Sequence, residues 1–375
     1  MQEAFRRGFS GYAQSRRVPI HVHRAARAIQ DCRTAALGGH VSGCPEGHVR
    51  RVHYNSCRHR SCPQCAQSRV ERWLEARRSQ LLPCAHFHVV FTTPHEFEPL
   101  WISDRQRMVD LLFRAVRDTL LELLGDARHL GARPGILATL HTWGRTLSFH
   151  PHIHCLVTGG GLGEDGWRSV RNGYLLPVRI VRALFRGKLL AALREALAKD
   201  ALRLPPALSP TRTANLLRTL ERRPWNVRIQ ERYAHGNGVL IYLGRYLRGG
   251  PIGNHRIVSV NDEHVAFRYT DHRDGRARSM TLPLEHFVQR VSWHVPEPRR
   301  HIVRYFGLYA RSEAPARQAC RGAIEIALET PALETLAPAV TPIAESSPRC
   351  PVCDRSLVVL EVWRRGREPP EGLRG

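Results

Sequence analysis

Apolar and polar positions change rhythm several times along this chain, and the changes mark its elements. HFHVVFTTP (residues 86–94) is β-branched and aromatic and stops at Pro94, which predicts a strand. Residues 105–124 carry apolar side chains at helical spacing and halt at Gly125, which predicts a helix. Residues 135–143 and 150–158 predict two further strands, the second closed by the run Gly159-Gly160-Gly161. Residues 178–202 predict a helix, 205–210 a loop, 225–230 a strand, and 239–247 a short helix closed by Gly249-Gly250-Pro251. Strand-like runs follow at 256–260, 264–269 and 279–282. Such alternation of strands and helices predicts an α/β or α+β core.

The two ends read differently. Residues 1–85 form a basic block dense in Cys and His, with helical segments expected at 23–36 and 65–82. From about Arg311 the chain turns Ala-, Pro- and Glu-rich (ETPALETLAPAVTPIAESSP), a linker composition expected to be partly disordered. The expected domains are therefore 1–85, 86–310 and 311–375, in line with 375 residues at roughly 150 per domain.

Charge narrows the partners. The chain carries 57 Lys and Arg against 33 Asp and Glu, a net +24, and only Lys188 and Lys199 are lysines. A GC-rich genome would explain the preference for arginine but not the net excess. Guanidinium groups grip phosphate with a planar fork, so the surplus points to nucleic acid. No uncharged apolar run reaches about 18 residues, which excludes a membrane-spanning helix. The N-terminus lacks the apolar core of an export signal, so the expected compartment is the cytoplasm.

Ten cysteines are unevenly spread. Cys32, Cys44, Cys57, Cys62 and Cys65 crowd one N-terminal segment, and Cys350 with Cys353 forms a late pair. Without an export signal, clustered thiols are more often metal ligands than disulfides. Cys62-Pro-Gln-Cys65 offers two thiolates to one structural Zn²⁺, and Cys44 with His48 is the natural second half. Cys32, His40, Cys57 and His59 remain, enough for a second tetrahedral site or merely for packing and phosphate contact. Arginines interleaved here, Arg58 and Arg60 among them, suit a DNA backbone. The Cys350/Cys353 pair is two ligands short of a zinc site. It is expected to be at most an accessory half-site that borrows ligands from another chain or from the N-terminal block, or a reduced turn.

FHPHIHCLVTGGG places His150, His152 and His154 at alternate strand positions, so their imidazoles share a face. Alone, His-x-His is weak evidence. Tyr242 and Tyr246 stand at i, i+4 on the predicted short helix, flanked by Arg245 and Arg248. Alone, that is an ordinary amphipathic helix. Together with a strongly basic chain, the two pairs suggest a phenol that attacks a DNA phosphodiester beside a divalent metal.

At this point the chain resembles the IS91 family of rolling-circle, two-tyrosine transposases with an HUH nuclease domain. CRTAALGGH…YNSCRHRSCPQC resembles that family's zinc-binding domain. HFHVVFTTPHEF, FHPHIHCLVTGGG, YLGRYLRGGPIGNHRIVSV and FRYTDHRDG…MTLPLEHFVQR resemble its nuclease blocks in order, across roughly residues 20–310. The family pattern often has C-x-x-C-G where this chain has Cys44-Pro-Glu-Gly47-His48, so His48 would replace a cysteine. The resemblance implies an α+β fold: an RRM-like HUH domain, an antiparallel sheet with helices, preceded by a small zinc-binding domain. It implies Mg²⁺ or Mn²⁺ on His152 and His154. His150 is one candidate third ligand, and a carboxylate or glutamine from another strand is the other. It further implies Tyr242 and Tyr246 as nucleophiles that leave a 5′-phosphotyrosine, and single-stranded element ends and target DNA in the bacterial cytoplasm as substrates. The oligomeric state is left open.

Three other readings compete. A plasmid replication initiator or relaxase shares the chemistry and differs in substrate, but the zinc block and motif order favour a transposase. A zinc-dependent DNA-binding regulator would form no covalent adduct. A DDE transposase would need three carboxylates on a ribonuclease-H-like sheet, and none forms a recognisable set beside the histidines.

Overall fold

The computed structural model describes residues 1–78, 80–233, 238, 240, 244, 251–271, 274–327 and 348–367. Contacts divide the chain into two compact units: Met1–Arg69 with Arg248–Pro298 and Thr330–Gly375, and Val70–Leu247 with Arg299–Glu329. This differs from the expected divisions at 85 and 310. Strand pairing and side-chain burial join distant stretches, and composition along the chain does not reveal which ones.

Helices α1 (Gln2–Gln14) and α2 (Ile20–Asp31) open the first unit, burying Phe5, Phe9 and Tyr12 on one and Val22, Ala25, Ala26 and Ile29 on the other. These positions recur at three- and four-residue intervals, the apolar stripe that a surface helix turns to its core. Strands β1 (Gly39–Gly43) and β2 (Arg50–Tyr54) pair antiparallel, and helix α3 (Ala66–Arg78) leads out of the block.

The second unit is built on an antiparallel sheet. Its strands begin with β3 (His86–Thr92), β4 (Arg133–Trp143), β5 (Phe149–Gly163), β6 (Gly166–Ser169) and β7 (Val227–Tyr233). Between them run α4 (Glu98–Ser103), α5 (Arg105–Gly125), α6 (Val178–Ala198) and α7 (Pro210–Glu221). Helix α5 starts where Asp104 accepts a hydrogen bond from the Arg107 backbone N–H, an N-cap of the usual kind. One sheet face packs on the helices: the Phe91 and Phe185 rings lie 4.9 Å apart, and Trp225 stands 5.6 Å from Phe185. Truncating Phe185 to alanine would cost about 3–5 kcal/mol, the usual loss for a fully buried aromatic.

The glycine run Gly159-Gly160-Gly161 does not end β5, which continues to Gly163 and pairs with β6. A Cβ on Gly160 would stand 2.5 Å from the Trp167 ring, and one on Gly161 would stand 2.7 Å from the Arg133 backbone. The run therefore permits close approach instead of marking a turn.

Beyond the second unit's central stretch, β8 (Ile257–Val260), β9 (His264–Thr270) and β10 (Ala277–Pro283) form a three-stranded sheet followed by α8 (Leu284–Trp293). Strand β11 (Val303–Gly307) returns to the large sheet beside β4, giving the order β11-β4-β5-β3-β7 with β6 off β5. Helix α9 (Ala314–Ala327) occupies the start of the expected linker. It forms because Cys320 and Ile324, four residues apart, are buried with Trp73, Leu137, Leu156 and Leu240. Finally β12 (Val358–Trp363) pairs antiparallel with β1, so that the first unit holds a second three-stranded sheet, β12-β1-β2.

Candidate active site and metal centres

The histidine site arises from strand register. His152 and His154 alternate along β5, and His141 of β4 stands directly opposite His152. Opposed residues of an antiparallel pair project from the same face. One ring nitrogen from each of the three can be chosen so that all lie within 4.8 Å of one another. The ring centroids of His141 and His154 are 4.3 Å apart, and those of His152 and His154 are 4.8 Å apart. Burial pushes His152 down to about 4 and holds His141 and His154 well below the ordinary imidazole value. Three neutral imidazoles with their lone pairs available at pH 7 suit a divalent cation.

Three hydrogen bonds set the tautomers. The His152 Nδ1–H donates to the His150 carbonyl at 2.6 Å, which leaves Nε2 as the lone-pair nitrogen. On the same face, the His88 Nδ1–H of β3 donates to Gln230 Oε1 of β7 at 2.8 Å. His88 Nε2 must then accept, and it takes the Nδ1–H of His154 at 2.8 Å. His154 is thereby fixed with Nε2 as its basic nitrogen, the arrangement that commonly orients metal-binding imidazoles. Burial also lowers the pKa of His88, keeping it neutral and able to accept.

His150 lies near His152, with ring centroids 5.5 Å apart, but the group of three takes His141 in its place. His150 contributes its carbonyl instead. His141, His88 and Gln230 were not singled out from the sequence. The available signal was a pair of histidines at alternate positions of a predicted strand, His86 and His88, and a lone His near the end of another.

The cysteines sort into two groups. Cys32, Cys57, Cys62 and Cys65 converge, with Cys32 Sγ 3.5 Å and Cys57 Sγ 3.6 Å from Cys65 Sγ. Zn–S bonds of about 2.3 Å set tetrahedral S···S edges near 3.8 Å, so four thiolates at this spacing fit one zinc. A hydrogen bond from Cys62 pulls Cys57 down to about 5, while Cys62 itself is pushed up, so a thiolate is favoured in the cluster. Cys44 and His48 do not complete this site, as the spacing suggested they would. They converge with Cys350 and Cys353. The correction is topological: β12 pairs with β1 and carries the late pair to the end of β1, where Cys44 follows Gly43.

His40 and His59 join neither group. His40 stacks on His53 across the β1–β2 pair at 4.9 Å, and His59 Nδ1 accepts the Ser61 backbone N–H at 3.2 Å. Arg58 is exposed, with a positive φ of 53°, and Arg60 is half-buried. Tyr242, Arg245, Tyr246 and Arg248 lie outside the described residues. Among their described neighbours, Leu240 is buried in the cluster that holds Leu156, two positions from His154 on the same strand face.

Residues 4–93 match the Zn_Tnp_IS91 family, described as "Transposase zinc-binding domain", and residues 135–316 match Y2_Tnp, described as "Putative transposase". The chain is 36% identical over 98% of its length to "Putative transposase y4qJ" of Sinorhizobium fredii, covering 96% of that protein. It is 32% identical to the "Transposase for insertion sequence element IS801" of Pseudomonas savastanoi pv. phaseolicola, across 74% of this chain and 68% of that one. Among solved structures, a metal-bound conjugative relaxase TrwC in complex with oriT DNA is similar at 15% identity and a TM-score of 0.26, covering 62% of this chain and 95% of that one. A superposition that loose carries no argument about this chain. Among the described residues, no helix is long and apolar enough to cross a membrane.

Proposed function

Because the chain belongs to the IS91 family of transposases, we propose that it nicks single-stranded DNA at element ends and rejoins it through a 5′-phosphotyrosine link. The observation that carries this reading is the convergence of His141, His152 and His154 on one face of an antiparallel sheet. These imidazoles would hold Mg²⁺ or Mn²⁺, which when bound neutralises charge developing on the scissile phosphate. Three neutral imidazoles bring no negative charge of their own to the ion.

Tyr242 and Tyr246 are the nucleophiles in this reading. A phenol ordinarily titrates near 10, so it must lose its proton as its oxygen bonds to phosphorus. The bond from phosphorus to the 3′-oxygen breaks, and that oxygen takes up a proton to leave a free 3′-hydroxyl. The ester keeps the bond energy, so rejoining needs no nucleotide triphosphate. A second tyrosine allows a second cleavage while the first is occupied. Arg58, Arg60, Arg245 and Arg248 contact DNA phosphates, and Cys32, Cys57, Cys62 and Cys65 hold a structural zinc.

The test is incubation of the full chain with single-stranded DNA from the element's ends and Mn²⁺. A denaturation-resistant protein–DNA band is expected, with the linked peptide containing Tyr242 or Tyr246. The Y242F/Y246F double variant should give no band. An adduct on any other residue, or none with wild type, would overturn the reading.

A further inference from the structure

We propose that Cys44, His48, Cys350 and Cys353 form a second structural zinc site that staples the chain's C-terminal segment to its N-terminal block. The matched zinc-binding domain spans residues 4–93 and does not include the late cysteine pair.

The geometry is that of a tetrahedral site. Cys44 Sγ lies 3.4 Å from Cys353 Sγ and 3.5 Å from His48 Nδ1, and Cys350 Sγ lies 3.9 Å from the same nitrogen. All four ligand atoms fall within 4.8 Å of one another. Bond lengths of about 2.3 Å to sulfur and 2.0–2.1 Å to nitrogen set edges of roughly 3.5–3.8 Å. Each half sits on a tight turn of its own. Gly47, at φ 78°, donates its N–H to the Cys44 carbonyl, and the Glu46 N–H points at Cys44 Sγ at 3.4 Å. Across the site, Asp354, at φ 57°, donates its N–H to the Cys350 carbonyl. The imidazole distinguishes this arrangement from a disulfide, which would use two sulfurs and leave His48 without a reason to be there.

Packing alone is a poor account of why the tail docks. Strand β12 is exposed at five of its six positions, burying only Trp363. The apolar cluster at the site is small: Cys44, Cys350 and Leu357, with Val49 and Cys353 against it. An Arg355–Glu46 ion pair crosses the junction, but its partners are 62% and 47% exposed, so it contributes little. Where apolar burial is this thin, metal binding supplies the folding free energy.

Metal analysis of the full chain tests the staple directly. Two zincs per chain are expected, falling to one in the C350S/C353S variant. One zinc in wild type, two in that variant, or a Cys44–Cys353 disulfide in the purified protein would overturn the proposal. If C350S/C353S fails to fold, His48→Cys keeps the site and changes its ligand field. After cobalt substitution its thiolate-to-cobalt absorption should rise as thiolate ligands go from seven to eight, four at one site and three at the other in wild type. An unchanged spectrum would likewise overturn the proposal.

Discussion

His88 accepts the Nδ1–H of His154 at 2.8 Å while its own Nδ1–H is held by Gln230. Three strands thus lock one imidazole in the tautomer that a metal requires. His88→Ala should weaken Mn²⁺ binding by about 10–100-fold, the usual cost of losing such a partner. Nicking should recover at raised Mn²⁺, and Gln230→Ala should act in the same direction but less. Titration by electron paramagnetic resonance reads the affinity, and an unchanged dissociation constant would refute the relay.

His141 and His150 should behave differently. His141→Ala removes a member of the converging group and should abolish metal-dependent nicking while DNA binding persists. His150→Ala keeps the carbonyl that orients His152 and should retain most activity. Equal loss in both variants would return His150 to the ligand set.

Tyr309 and His86 form a second buried pair, away from any metal role. The Leu82 N–H donates to the Tyr309 oxygen at 3.3 Å, and the phenol donates to His86 Nε2 at 2.6 Å. Tyr309→Phe keeps the ring and strands a buried acceptor, for a loss of about 1–3 kcal/mol. Urea unfolding measures it, and a loss below about 0.5 kcal/mol would contradict the assignment.

Acid should destabilise the protein through the same residue. Burial lowers His86 to about 4 from an ordinary 6.5, so its folded pKa is depressed. The stabilising contribution is fully present above pH 6.5 and is lost as pH falls toward 4, because the unfolded chain takes the proton first. For His86 that amounts to about 3 kcal/mol at pH 4. His86→Gln should therefore flatten the fall of the urea midpoint between pH 6.5 and 4.5. Identical slopes in variant and wild type would exclude His86 as a source.

What could be read from the sequence was local. His152 and His154 were visible because alternation along one strand is a property of that strand alone. His141 was not, since its place depends on which strand lies beside β5, and periodicity carries no pairing information. The same reason separated Cys44 from Cys353, 309 residues away. Composition misled at residues 314–327, where Ala-rich sequence forms a helix because Cys320 and Ile324 find a buried surface. It misled at Gly160 as well, where glycine answers a crowding neighbour and not a turn.

The pairing of β12 with β1 also bears on how the molecule is made. β1 is the middle strand of its sheet, so one of its edges stays open until β12 arrives. At about 5–20 residues per second, a ribosome needs roughly 15–60 s to cover the 309 residues between Cys44 and Cys353. The edge of β1 that takes β12 is thus paired long after β1 itself is made. A message cut short or shifted in frame before β12 yields a chain in which that edge of β1 is left without its partner strand. Pairing of the second edge of residues 39–43 is, in this fold, conditional on the synthesis of residues 358–363.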